Sequence, residues 1–262
     1  GIGASMQPDD VFAPSYREYG AQFERGVKPR DVLMYWGGDE RGNDFEIPRN
    51  DYPWCVPIST QCLMASGAAL SFKLRGENRV AVATCGDGGS SKTDFYAAVN
   101  SAGAFTLPLV LCVINNGWAI SVPRKAQTGA DTLAQKGLAG GLHCLQVDGN
   151  DLVAVLEAMR RAHERARSGQ GGSVIEFMTY RRHDHTTADD ARRYRGEDEV
   201  KAAWEKEPFL RLRKYLTDQG LWDESQEKAW IEECGRLVDV EINAYLETPV
   251  QPAEAMFYYL YG

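Results

Sequence analysis

A carboxylate between glycines, in the segment Gly86-Asp87-Gly88-Gly89, is the first feature of the sequence that could do chemistry. Asp87 offers oxygen ligands with free space beside them, and magnesium favours carboxylates combined with phosphate oxygens. The glycines have no side chains, so their backbone N–H groups could approach a phosphate, towards which the helix predicted downstream would also point its positive end. By itself, a Gly-Asp-Gly segment is more typical of a turn.

Two consecutive asparagines form a second polar cluster, and 26 residues separate Gly88 from Asn115. The amide oxygen of Asn116 is a neutral ligand that would complement the Asp87 carboxylate. A carboxylate, an amide, a backbone carbonyl and a pair of phosphate oxygens nearly fill the shell of about six oxygens that magnesium prefers. The interval between the clusters is long enough for one crossover helix and a neighbouring strand.

Short apolar strands are predicted directly before both clusters. Residues 79–84 and 109–114 are rich in apolar and β-branched side chains, as is typical of strands buried on both faces. A helical pattern covers residues 93–104 between them. The other predicted elements are a helix at 59–74, strands at 144–147 and 173–180, and an amphipathic helix at 152–167 that follows a capping turn at 148–151.

The alternation of strand and helix predicts an α/β fold, with a doubly wound, mostly parallel sheet and helices on both faces. In such sheets ligands bind at the carboxyl ends of the strands, so both polar clusters are expected side by side at one edge. We expect residues 1–198 to form this domain. Residues 199–262 are predicted to be a helical C-terminal extension that packs on the same domain or on a partner.

Composition excludes several classes of partner. The chain has 262 residues, 29 of them basic and 37 acidic, with a net charge of -8 and no long basic block, so nucleic acid is not an expected partner. No stretch approaches the roughly 20 apolar residues that span a bilayer and no signal peptide is visible, so a membrane is not expected either. Six scattered cysteines without a CxxC pair predict buried thiols in a reducing compartment such as the cytoplasm.

The two clusters together carry a family resemblance. The segment GDGGSSKTDFYAAVNSAGAFTLPLVLCVINNGWAIS, residues 86–121, resembles the thiamine-diphosphate motif, in which GDG and NN are separated by a similar interval. The segments APSYREYG, VPISTQ, VDGND and YRRHDHTTADDARRYR are similar to those of the alpha subunits of pyruvate and branched-chain 2-oxo acid dehydrogenase E1 components. The resemblance covers nearly the whole chain and implies a thiamine-diphosphate-binding fold, with thiamine diphosphate and Mg²⁺ as cofactors.

The resemblance also implies roles for individual residues. Magnesium would be held by the side chains of Asp87 and Asn116 and by the backbone carbonyl of Trp118. The remaining cofactor contacts comprise three glycines and two side chains at the diphosphate, and two backbone contacts to the aminopyrimidine ring: Gly86, Gly88, Gly89, Tyr16, Arg17, Val56 and Ile58. Thr60 and Gln61 match a turn that potassium stabilises in some members of the family.

One catalytic residue is implied, His185, at the mouth of the site. By the resemblance it contacts the diphosphate and assists acyl transfer. Its position among charged residues in a predicted loop would otherwise favour a solvated side chain. His183 is more typical of a solvated face, and we interpret His143 and His163 as structural. Thr186 stands where animal relatives carry a regulatory serine.

Partners follow from what the chain lacks. Members of the family need a glutamate beside the pyrimidine ring, and in the members encoded by two genes it comes from the beta subunit. The resemblance therefore implies a heterotetramer of two alpha and two beta subunits with the cofactor at their interface, and a lipoyl-bearing E2 acyltransferase as the next partner. Because Gly1 falls inside a helix of the family, we expect a preceding N-terminal segment to be missing.

The expected function is the oxidative decarboxylation of pyruvate, with transfer of the acetyl group to lipoyl-E2. Pyruvate is favoured because residues 88–105 look closest to bacterial pyruvate-type alpha subunits. Branched-chain 2-oxo acids or acetoin remain alternative substrates. A non-catalytic homologue is a further alternative, since Lys92 and Ile114 depart from residues common in the family. A dinucleotide-binding protein is disfavoured, because the first predicted strand-to-helix turn lacks GxGxxG.

Overall fold

The structure, a computed structural model, describes residues 1–258 and 260. The strands are β1 Val11–Ala13, β2 Ala81–Gly86, β3 Leu109–Asn115, β4 Trp118–Ala119, β5 Val122–Pro123, β6 His143–Asp148 and β7 Ser173–Met178. The helices are α1 Tyr19–Glu24, α2 Pro29–Trp36, α3 Thr60–Arg75, α4 Thr93–Ala104, α5 Leu152–Arg167, α6 Glu197–Trp204, α7 Pro208–Asp218 and α8 Glu224–Leu246.

Five strands form one sheet in the order β1-β2-β3-β7-β6, and every neighbouring pair in it is parallel. The predicted α/β fold with a parallel sheet is therefore confirmed. A small antiparallel hairpin of β4 and β5 follows directly after the two asparagines. Strand β1 was not predicted, because its three residues are too few to show a strand pattern.

The two faces of the sheet bury separate apolar cores, which explains why the central strands are apolar throughout. Ala81 and Ala83 of β2 point towards α3 and α4. Val82 of β2 and Val110 of β3 point towards α5 on the opposite face. Because successive side chains of a strand alternate between faces, each central strand needs apolar residues at both kinds of position.

Buried ion pairs fasten the N-terminal segment to the sheet. The carboxylate of Asp10, which is fully buried, accepts a hydrogen bond from Arg167 Nη2 at 2.5 Å and another from the backbone N–H of Val80 at 2.8 Å. Arg25 pairs with Asp51 through its Nε at 2.5 Å and its Nη2 at 2.7 Å. Loss of one partner of a buried pair costs about 3–5 kcal/mol, so these contacts hold β1 at the edge of the sheet.

The C-terminal part is helical, as predicted, and its long helix α8 packs against α2. Arg41 donates to the carbonyl of Pro249 at 2.8 Å, and Gln251 donates to Asp39 at 2.6 Å. Many apolar side chains of this C-terminal part are exposed, among them Trp230. The domain division at residue 198 stays a prediction, since α6 spans it.

The six cysteines form no disulfide. Cys62, Cys85 and Cys112 are buried, whereas Cys234 is exposed, so the prediction of buried thiols holds for part of the set. In residues 1–258 and 260 no helix is long and apolar enough to cross a membrane.

His163 of α5, which is buried, makes the stability of the fold depend on pH. Burial lowers the pKa of its imidazole to about 4, with Arg167 acting in the same direction and Asp10 opposing it. In the unfolded chain the pKa returns to about 6.5. Between these values only the unfolded state binds the proton, so the free energy of unfolding should fall by up to about 1.4 kcal/mol per pH unit as the pH decreases.

We therefore expect His163→Leu to flatten the loss of stability between pH 6.5 and about 4. Urea unfolding of the full chain at several pH values measures it, with His143→Leu as the control because His143 is exposed. An unchanged pH dependence in His163→Leu would contradict the assignment.

Candidate cofactor and metal site

The pairing of β2 with β3 brings the two polar clusters together. The two strands are parallel, and Gly86 lies opposite Ile114 in their register. Asp87 and Asn115-Asn116 therefore leave the sheet side by side at its carboxyl edge, as the sequence predicted. This is the edge at which ligands bind in parallel α/β sheets.

Asp87 is a buried carboxylate, with only 2% of its surface exposed. Its Oδ2 accepts a hydrogen bond from Gln127 Nε2 at 2.8 Å. Burial raises the pKa of the carboxyl, and the hydrogen bond from Gln127 opposes that shift. Among the residues described, no Lys, Arg or His nitrogen lies within 4.0 Å of the carboxylate. A buried carboxylate without an adjacent cation is a suitable ligand for a divalent metal.

The glycines after Asp87 are required by close packing. A Cβ on Gly88 would lie 2.6 Å from the Cβ of Ala119, and a Cβ on Gly89 would lie 2.8 Å from Ser59 Oγ. The carbonyl of Gly89 accepts a hydrogen bond from Ser59 Oγ at 2.7 Å. A 3₁₀ turn, Gly88–Ser91, follows the strand, and α4 begins only at Thr93. The start of α4 at Thr93 is where the sequence predicted it, whereas the intervening 3₁₀ turn was not predicted.

The two asparagines have different surroundings. Asn115 is buried, and its Nδ2 donates to Glu176 Oε1 at 2.7 Å while its Oδ1 accepts from the N–H of Gly117 at 3.1 Å. Asn116 is half-buried, and its Oδ1 accepts from the N–H of Trp118 at 3.1 Å, which leaves a second lone pair on that oxygen. Asn115 therefore stabilises the turn, and Asn116 is the asparagine available as a ligand.

The donor set fits magnesium. In the described part of the chain no three His, Cys, Asp or Glu side chains gather into a metal-binding group. The candidate ligands that the resemblance implies are one carboxylate, from Asp87, together with neutral oxygens from Asn116 and the Trp118 carbonyl. Magnesium usually binds in this way, with waters and substrate phosphates completing its shell.

Arg181, which the sequence analysis did not single out, supports the loop that carries Trp118. Its guanidinium is buried and donates to the carbonyl of Ile120 at 2.8 Å and to the Tyr194 hydroxyl at 2.6 Å. A longer contact of 3.4 Å reaches the carbonyl of Trp118. Arg181 lies shortly after the end of β7. It was not identified from the sequence because it stands in a run of charged residues that is typical of a solvated loop.

Arg17 and His185, 168 positions apart in the sequence, meet at this edge. Nη2 of Arg17 donates to the carbonyl of His185 at 2.5 Å and lies 3.0 Å from its Nδ1. The Arg17 guanidinium lies 5.5 Å from the centre of the Tyr16 ring. Partial burial, and then the charges of Arg17 and Arg181, lower the pKa of His185. The imidazole is therefore kept neutral, with Nδ1 able to accept a hydrogen bond from Arg17.

The two residues expected at the aminopyrimidine ring lie just before α3. Val56 and Ile58 are both exposed, so Ile58 is not a core residue. Thr60 donates to Asp94 at 3.0 Å, and Gln61 donates to the carbonyl of Thr84 at 2.7 Å. The ring contacts and a potassium-binding role for this turn stay predictions. Lys92, Thr186 and His183 are exposed, in keeping with His183 on a solvated face.

Comparisons with known proteins agree over almost the whole chain. The family model described as the dehydrogenase E1 component matches residues 1–254. The chain is 39% identical over 259 residues to the pyruvate dehydrogenase E1 component subunit alpha of Staphylococcus aureus (strain COL), covering 98% of this chain and 70% of that protein. It is 40% identical over 234 residues to the protein of the same name from Acholeplasma laidlawii, covering 89% and 68%. The chain therefore belongs to the dehydrogenase E1 component family.

Proposed function

We propose that this protein is the alpha subunit of a pyruvate dehydrogenase E1 component, which decarboxylates pyruvate oxidatively and transfers the acetyl group to lipoyl-E2. The observation that carries the proposal is the placement of Asp87, Asn116 and the Trp118 carbonyl at adjacent ends of paired parallel strands. The relatives named pyruvate dehydrogenase E1 alpha subunit favour pyruvate over branched-chain acids or acetoin.

Thiamine diphosphate and Mg²⁺ are the cofactors that we propose for this site. When bound, thiamine diphosphate would supply a thiazolium carbon that adds to the ketone of a 2-oxo acid and a ring that accepts the electron pair released as carbon dioxide leaves. Asp87, Asn116 and the carbonyl of Trp118 would hold the metal. The backbone of Gly86, Gly88 and Gly89 would accommodate the diphosphate on one side.

On the other side of the diphosphate, Tyr16 and Arg17 would complete its binding, because a guanidinium fork suits phosphate oxygens. Arg17 already contacts His185, so the same arginine would orient the imidazole at the mouth of the site. With Nδ1 accepting from Arg17, a neutral His185 would keep its proton on Nε2 and donate a hydrogen bond to the acyl group during its transfer to the lipoyl carrier. The backbone at Val56 and Ile58 would contact the aminopyrimidine ring.

The assembly that we propose has two alpha and two beta subunits and hands its product to E2. The beta subunit would supply the glutamate beside the pyrimidine ring. The six free cysteines are typical of a reducing compartment, and we propose a cytoplasmic location.

Removal of the Asp87 carboxylate tests the metal site. We expect Asp87→Ala to weaken magnesium-dependent binding of thiamine diphosphate at least about 100-fold, equivalent to about 2.7 kcal/mol, because the anionic ligand is lost. Titration calorimetry on the co-purified alpha–beta assembly measures it. Asp131→Ala is the control, since Asp131 is an exposed carboxylate on the loop after β5. Equal affinities for Asp87→Ala and the unaltered protein would remove the metal assignment.

His185→Ala separates cofactor binding from acyl transfer. We expect the rate of lipoyl acetylation to fall about 10²–10⁴-fold, as on loss of a general acid or base, while thiamine diphosphate affinity changes much less. Parallel assays with a lipoyl domain and with an artificial electron acceptor measure the two steps. His183→Ala is the control. Because the pKa of His185 is lowered, its protonation should affect acyl transfer only below about pH 6.5. Equal losses of binding and transfer would give His185 a binding role only.

The subunit requirement and the substrate are tested together. We expect no turnover by the chain alone, and decarboxylation of pyruvate once the beta subunit encoded beside it is co-expressed. Pockets that differ by a methylene discriminate by about 1–3 kcal/mol, so pyruvate should exceed branched 2-oxo acids by about 10–200-fold in kcat/KM. Preference for a branched acid would change the substrate but keep the class. A well-formed assembly that neither binds thiamine diphosphate nor turns over would favour a non-catalytic homologue.

A further inference from the structure

A short segment, residues 133–136, contacts the glycine turn through Lys136 and is linked to the asparagine turn through Glu176. It lies at the start of the 3₁₀ segment Ala134–Gly140, on the same side of the sheet as α4. Glu176 of β7 holds the beginning of the segment, and Lys136 ends it. None of these residues is among the predicted cofactor contacts, so their hydrogen bonds need another explanation.

Lys136 holds the glycine turn. It is 6% exposed, and its Nζ donates to the carbonyl of Ser90 at 2.9 Å, to Ser90 Oγ at 2.9 Å and to Ser91 Oγ at 3.2 Å. An ammonium group has three N–H donors, so these three acceptors leave none for a ligand. Ser90 Oγ in turn donates to the carbonyl of Asp87 at 2.7 Å. Lys136 therefore acts on Asp87 through the turn.

Lys136 forms no salt bridge with a carboxylate in the part of the chain that the structure describes. Across residues 1–258 and 260, no carboxylate oxygen lies within 4.0 Å of its Nζ. Burial lowers the pKa of Lys136, and the charge of Arg124 lowers it further. The ammonium group is held instead by three neutral oxygens, and it lies 5.6 Å from the centre of the Tyr96 ring. The buried charge of Lys136 is therefore held at the turn that is proposed to receive a diphosphate.

Glu176 holds the asparagine turn. It is 1% exposed, and its Oε1 accepts from Asn115 Nδ2 at 2.7 Å. Its Oε2 accepts from the N–H groups of Leu133 at 2.8 Å and Ala134 at 3.3 Å, and from Gln146 Nε2 at 3.0 Å. Because Asn115 fixes the N–H of Gly117, the carboxylate of Glu176 links the turn around Asn116 to residues 133–136.

We propose that Lys136 and Glu176 are positioning residues, and that residues 133–136 brace the two ligand turns at a fixed separation. Hydrogen bonds lead from the Asp87 carbonyl through Ser90 to Lys136, the backbone of residues 133–136 continues the link, and further hydrogen bonds lead through Glu176 to Asn115 in the turn around Asn116. The affinity for the metal and diphosphate then depends on side chains that contact neither. The affinity claim rests on the proposed function, whereas the bracing itself does not.

Hydrogen exchange of the co-purified alpha–beta assembly without cofactor tests the brace directly. We expect Lys136→Met to accelerate exchange of the backbone amides of residues 88–91 and also of residues 115–118, each at least about tenfold. Lys73→Met is the matched control, because Lys73 also donates to a backbone carbonyl, that of Phe105, at 2.5 Å but lies on exposed surface. Faster exchange confined to residues 88–91 would overturn the proposal.

Cofactor affinity provides the second measurement. Lys136→Met and Glu176→Gln should each weaken magnesium-dependent binding of thiamine diphosphate about 10–100-fold, the usual effect of losing a residue that orients a metal ligand. The double variant should lose less affinity than the product of the two single losses, because both residues act through one brace. Native-like affinity in both single variants, or fully multiplicative losses, would overturn the proposal.

A double variant that swaps the carboxylate and amide groups of positions 176 and 115 controls for misfolding of the single variants. In Glu176→Gln the new amide would face the amide of Asn115, donor against donor. Adding Asn115→Asp restores a donor–acceptor pair and keeps the net charge, so affinity should recover at least tenfold relative to Glu176→Gln. Ser90→Ala, a smaller change, should reproduce part of the loss in Lys136→Met. Failure of the unaltered assembly to bind thiamine diphosphate would refute the proposed function, and hydrogen exchange would still decide on the brace.

Discussion

The in-register parallel pairing of β2 with β3 is the constraint on which the candidate site depends. Because Gly86 lies opposite Ile114, the residues that follow both strands emerge together from one edge of the sheet. A shift of one residue would turn the side chains of a whole strand to the other face. Asp87 and Asn116 therefore need no direct contact with each other, since the backbone hydrogen bonds of the sheet bring them together.

Among the described residues, the charged groups buried at this edge form no salt bridges, in contrast to the paired charges that hold the N-terminal segment. Asp87, Lys136, Glu176 and Arg181 are all buried within a few residues of the carboxyl ends of β2, β3 and β7 or in the segment packed against them. Burial of charges is costly unless each is bonded or neutralised. Such a concentration is typical of functional sites, where the environment is organised for a charged ligand. The opposite edge is fastened mainly by two compact ion pairs.

Much of this arrangement could be predicted from local patterns. The strands before Asp87 and Asn115, the helix between them and the order of their turns follow from apolar runs and turn residues that lie close together in the sequence. Arg181, Lys136 and Glu176 could not be found in this way. Their importance lies in hydrogen bonds to residues 42 to 63 positions away, and a single sequence has no periodic signal for such contacts. Strand β1 was missed because it is shorter than the pattern that identifies strands.

The contact between Arg17 and His185 also affects when the site can form. Residues separated by 168 positions cannot meet until the second of them has left the ribosome. At about 5–20 residues per second, that interval corresponds to roughly 10–30 s of synthesis. During this time the first strand and the arginine that follows it have no partner on the later loop. The Arg17–His185 contact therefore forms late in the synthesis of the chain, after a stage in which the sheet is only partly assembled.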